Sequence, residues 1–113
     1  MGKKIFLAVW LCAFALNAHP PKSIELSYDA EAAALSVKVL HKVSDPDRHF
    51  ILRISVYSGK ELLAEKTYER QDTPAGQEEI FLFLEKPLAR GMAVTVTAVC
   101  SVSGKKSADL EWD

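Results

Sequence analysis

Residues 35–57 read LSVKVLHKVSDPDRHFILRISVY. Leu35, Val37 and Val39 alternate with Ser36 and Lys38, and the run continues into Leu40-His41. Beyond Asp45-Pro46-Asp47 a second run places Phe50, Leu52, Ile54 and Val56 in one row, with Ile51, Arg53, Ser55 and Tyr57 opposite. Alternation with period two in β-branched and aromatic residues marks strands with one buried face. The Asp-Pro-Asp segment between them carries the residues that reverse a chain. The stretch therefore predicts a strand ending at His41, a turn over residues 42–48, and a strand opening at His49. Antiparallel pairing of the two would bring both imidazoles to one end of a sheet.

The same pattern extends outward. Ile24, Leu26 and Tyr28 alternate with Ser23, Glu25 and Ser27. Met92, Val94, Val96, Ala98 and Cys100 alternate with Ala93, Thr95, Thr97, Val99 and Ser101. Residues 62–68, 79–84 and 107–112 read as three further strands. The separators Ser58-Gly59-Lys60, Asp72-Thr73-Pro74-Ala75-Gly76, Arg90-Gly91 and Ser103-Gly104-Lys105 supply turn chemistry. Residues 29–34 have helix-compatible composition but are few enough to be the turn between the first two strands. About seven short strands at this spacing predict an all-β fold, an immunoglobulin-like antiparallel β-sandwich.

Upstream, Lys3-Lys4 precedes an apolar run over residues 5–16 and then Asn17-Ala18-His19-Pro20-Pro21. A basic start, an apolar middle and a small residue at the cut are the layout of a secretory signal peptide. The expected division is a signal over residues 1–18 and one domain over residues 19–113. A cut after Ala15, with Ala13 three positions earlier, is the second choice, and an uncleaved membrane anchor the alternative. The expected localisation is secreted or periplasmic, with no membrane association once the signal is removed. The signal holds two lysines and no acid, so the formal net charge of −1 becomes −3 without it. A mildly acidic domain with no basic block argues against nucleic acid as a partner. Cys12 falls within the signal, which leaves Cys100 without an intramolecular disulfide partner. The oligomeric state is not legible.

His41 and His49 stand at strand ends and Cys100 near the end of a strand, so one rim of a sandwich can hold all three. Imidazole with thiolate suits iron, copper or zinc, whereas oxygen-rich sites suit calcium or magnesium. Cys100 also extends the apolar row of Val94, Val96 and Ala98, which equally fits a core thiol. The chain has no paired CxxC, no HExxH, no Gly-rich phosphate loop and no nucleophile elbow. Asp45/Asp47 and Glu78/Glu79 read as turn and edge charges.

Residues 35–51 resemble the segment of the superoxide reductase iron domain (the desulfoferrodoxin and neelaredoxin family) in which a strand ends in His, a Pro-containing loop follows, and His-(Tyr/Phe)-Ile opens the next strand. Residues 94–104, VTVTAVCSVSG, are similar to that family's Cys-x-x-His-Gly segment, and His19-Pro20-Pro21 to its upstream His-x-Pro. The resemblance implies an immunoglobulin-like sandwich with iron at one rim, held by His19, His41, His49 and Cys100. It implies an electron-donor protein as partner, and superoxide at the open metal position. The family's fourth histidine falls at Ser103, and Ala18 stands where a lysine precedes the first histidine. If cleavage falls after Ala18, the α-amine and ring of His19 can chelate together and replace the missing nitrogen, a nitrogen-rich arrangement that favours copper. The expected function is thus an exported iron- or copper-binding redox-type domain. The alternative is a non-catalytic periplasmic binding or carrier sandwich with no metal.

Overall fold

The structure is a computed structural model that describes residues 20–112. The expected signal and His19 lie outside the described residues. Seven strands follow in order: β1 (Ser23–Asp29), β2 (Ala34–Leu40), β3 (Ile51–Ser58), β4 (Glu61–Thr67), β5 (Gly76–Leu82), β6 (Thr95–Cys100) and β7 (Lys105–Asp109). They form two antiparallel sheets, one in the order β1-β2-β5 and the other in the order β4-β3-β6-β7. No helix among the described residues is long and apolar enough to cross a membrane.

The sheets face each other across one core. Leu35, Val37 and Val39 come from β2, Phe81 from β5, Ile54 and Val56 from β3, and Val96 and Ala98 from β6. The expected rows of β2 and β6 are the buried ones, since Leu35, Val37, Val39, Val94, Val96, Ala98 and Cys100 are all buried. Residues 30–33 form the β1–β2 turn, where the Asp29 carboxylate accepts from the Glu31 and Ala32 amides at 3.0 and 3.3 Å. The side chain thereby ties the turn locally. Two expected separators also yield residues to strands: Gly76 opens β5 and Lys105 opens β7.

The phase of β3 corrects the sequence reading. Ile51, not Phe50 or Leu52, joins Ile54 and Val56 in the buried row. Ile51 pairs with Cys100 and Arg53 with Val99, so two steps on β3 match one step on β6. Leu52 is the extra residue of a β-bulge, and a bulge reverses which face the preceding residues present. A second correction concerns connectivity. β2 and β3 do not pair; residues 41–50 carry the chain from one sheet to the other.

Side chains link the edge strands β4 and β5 on one flank of the sandwich, and β1 and β7 are the edges on the other. Tyr68 Oη donates to Glu79 Oε1 at 2.7 Å, and Lys66 Nζ lies 3.5 Å from the same carboxylate. Burial first, then the hydrogen bond to Glu79 and the charges of Glu79 and Asp72, push the Tyr68 phenol far above its ordinary value of 10.0. The folded chain therefore keeps this proton where the unfolded chain releases it, so the contribution is complete below pH 10 and shrinks as pH rises further. Tyr68→Phe should cost about 1 kcal/mol at pH 8. Urea unfolding from pH 8 to 11 should show the gap between wild type and variant narrowing above pH 10; a constant gap would refute this account of Tyr68.

Candidate metal centre

His41 follows β2 directly and keeps the phase of Leu35, Val37 and Val39, so its side chain enters the interior, where it is 1% exposed. Its backbone amide donates to Ala75 O at 2.9 Å, which extends the β2–β5 pairing by one step. His49 closes the crossing loop. Asp45 organises that loop: its carboxylate accepts from the Asp47 amide at 3.1 Å, and its carbonyl accepts from Arg48 and His49 at 3.1 and 2.9 Å. Val43 is buried and its amide donates to Pro74 O at 2.8 Å, which fastens the loop to the β5 side.

Cys100 ends β6, directly across from Ile51. Pairing continues past it, because Ser101 N donates to Phe50 O at 2.8 Å and Phe50 N to Ser101 Oγ at 3.1 Å. The bulge at Leu52 matters here. Partners across an antiparallel ladder share a face, so Ile51 and Cys100 point the same way, and His49, two residues before Ile51, follows that phase. Without the bulge, His49 would take the phase of Arg53 and face away from the core.

The three side chains converge. His49 Nε2 lies 3.1 Å from Cys100 Sγ, the rings of His41 and His49 meet edge to face with centroids 4.8 Å apart, and one donor atom from each of His41, His49 and Cys100 falls within a 4.8 Å span. A common ion in a tetrahedral site, about 2.0–2.1 Å from imidazole nitrogen and about 2.3 Å from sulfur, sets its donors about 3.3–3.6 Å apart. His49 Nε2 and Cys100 Sγ, 3.1 Å apart, already stand near that spacing, and small ring rotations that close the widest pair by roughly an ångström would let the three hold an ion. One soft thiolate with two imidazoles suits iron, copper or zinc. The Val102 amide lies 3.4 Å from Cys100 Sγ and points a donor at the sulfur.

Behind His41 stands a residue the sequence reading passed over. Gln71 is fully buried. Its Nε2 donates to His41 O at 2.8 Å and Thr73 O at 2.9 Å; its Oε1 accepts from Ile51 N at 3.1 Å and lies 2.8 Å from His41 Nδ1. Its own amide donates to Pro46 O at 3.0 Å. A glutamine in Glu-Arg-Gln-Asp carries no local signal of burial; only the meeting of β2, the crossing loop and β3 creates its place.

Ser103, where the resembled family has its fourth histidine, lies exposed in the turn after Cys100. Gly104 in that turn has φ +83°, and Pro20 packs so closely on it that a Cβ there would lie 2.7 Å from Pro20 Cβ. Pro20 also lines an apolar groove of about 760 Å³ with Pro21, Leu40, His41, Val43 and Pro74, and Lys22 and Lys42 are its charged residues. No protein-family model, curated protein or solved structure matches this chain.

Proposed function

We propose that the chain is an exported metal-binding redox domain, an immunoglobulin-like sandwich related to the superoxide reductase iron domain, with His41, His49 and Cys100 as ligands to iron or copper. The convergence of these three side chains within 4.8 Å carries the reading. They come from the end of β2, the end of the crossing loop and the end of β6, and His49 and Cys100 stand 51 residues apart in the chain. The strand order supports the immunoglobulin-like reading. β1, β2 and β5 make one sheet and β3, β4, β6 and β7 the other, so the chain crosses between the sheets three times, at β2–β3, β4–β5 and β5–β6, as in Greek-key sandwiches.

His19 is the fourth proposed ligand. Its neighbour Pro20 packs on Gly104, in the turn after Cys100, and lines the groove that includes His41. Cleavage after Ala18 would add the α-amine of His19 to its ring. An iron or copper ion held here would supply one-electron chemistry, with an electron-donor protein as partner. Cys100 provides the anionic soft donor and His41 and His49 the neutral nitrogens. With Ser103 in place of a fourth histidine, reduction of superoxide is not part of the proposal.

Metal analysis of the protein isolated from its native compartment tests the reading, with its N-terminus read by mass spectrometry. About one iron or copper per chain is expected in the wild type, with visible sulfur-to-metal absorption, and almost none in His49→Ala. Equal metal content in the two proteins, or none in either, would defeat it.

A further inference from the structure

We infer that Gln71 is the positioning residue of the metal centre: it holds the proton of His41 on Nδ1 and so commits that ring to coordinate through Nε2. The inference rests on the reading of His41 as a ligand. The amide orientation of Gln71 is settled by its partners. Two carbonyls, His41 O and Thr73 O, take Nε2 as donor, and the Ile51 amide takes Oε1 as acceptor. Oε1 can then only accept from His41 Nδ1, 2.8 Å away. A neutral imidazole has one N–H, so Nε2 carries the lone pair. A ring nitrogen that ligates a metal gains both orientation and basicity when the other ring nitrogen donates to a fixed acceptor.

Gln71 reaches beyond His41. Its acceptor oxygen also holds the Ile51 amide, on the residue directly across from Cys100. Its backbone amide holds Pro46 in the loop that delivers His49. One buried residue thus ties together the end of β2, the crossing loop and the start of β3, and its side-chain oxygen is the atom on which ring orientation depends.

Nitrogen-15 NMR of the histidines, with zinc(II) as a diamagnetic probe, tests this. In the metal-free wild type His41 should carry its proton on Nδ1, and zinc should move the Nε2 resonance while the Nδ1 proton stays. Gln71→Met removes the acceptor, so the Nδ1–H form should no longer dominate and zinc affinity should fall about 10–100-fold. Gln71→Glu keeps an acceptor oxygen in either protonation state and should retain both the tautomer and most of the affinity. A merely structural glutamine would make the two variants equally poor. A proton on Nε2 of His41, coordination through Nδ1, or wild-type affinity in a folded Gln71→Met protein would overturn the inference and leave the metal centre standing. A wild type in which zinc moves neither histidine would overturn both.

Discussion

Cys100→Ser is expected to lower iron or copper affinity by more than about 100-fold, beyond the 10–100-fold typical of losing an outer partner of a ligand, and to erase sulfur-to-metal absorption. The thiolate is the only anionic donor among His41, His49 and Cys100. A serine hydroxyl stays protonated at neutral pH and is a hard oxygen, so two neutral imidazoles would be left to hold the ion. The metal-free fold should change little. Serine fills nearly the same space, and its oxygen can accept from the Val102 amide and stay in contact with His49, which now lie 3.4 and 3.1 Å from the sulfur. A stability loss of about 1 kcal/mol is expected in the absence of metal. Metal titration followed by absorbance, alongside melting of the metal-free proteins, separates the two effects. Undiminished affinity in the serine variant would remove Cys100 from the site.

Gly76→Ala should be among the most damaging single substitutions for the fold. A Cβ at position 76 would overlap the carbonyl oxygen of Val39 and lie 3.1 Å from Val39 C and 3.3 Å from His41 N. All three are backbone atoms, so no side-chain rotation relieves the overlap. Gly76 sits across from Leu40 at the end of the β2–β5 ladder, one step before the His41 amide bonds to Ala75 O. Relief requires the two strands to part where β2 delivers His41. A loss of at least roughly 3 kcal/mol is expected, equivalent to roughly 12–24 °C in Tm for a domain of this size. Gly59→Ala is the contrasting case. Gly59 has φ +60° but nothing within 4 Å of an added Cβ, so only the backbone strain of about 1 kcal/mol applies. Thermal melting of both variants decides the matter: similar losses would mean that the close approach at Gly76 is relieved by easy strand movement.

Much of the fold is written in the alternation of β2 and β6. Both strands run without interruption through their buried rows, so Leu35, Val37, Val39 and His41 share one phase, and Val94, Val96, Ala98 and Cys100 another. Extending those rows is enough to point His41 and Cys100 inward. His49 was legible as a residue type at a strand end but not as an inward-facing one. Counting back from Val56 and Ile54 assigns it to the outer face, and nothing in Phe-Ile-Leu-Arg announces a bulge, since no Gly or Pro marks it. The bulge follows from register against β6, a long-range property. Gln71 was hidden for the same reason. The partition of strands between sheets was also beyond local pattern, because an Asp-Pro-Asp turn serves a hairpin and a crossing between sheets equally well.

The pairing of Ile51 with Cys100 has a thermodynamic side. In the unfolded chain His49 and Cys100 are separated by 51 residues, and the loop-closure entropy of bringing them together is met only when β3 and β6 dock. An ion taken by this cluster is therefore an ion taken by the native state, and mass action adds its binding to the folding equilibrium. At free metal 100 times the dissociation constant the native state gains about 2.7 kcal/mol, and each further tenfold adds about 1.4 kcal/mol. The melting temperature would then depend on free metal concentration, so the stability of this small domain would be partly a property of the compartment in which it resides.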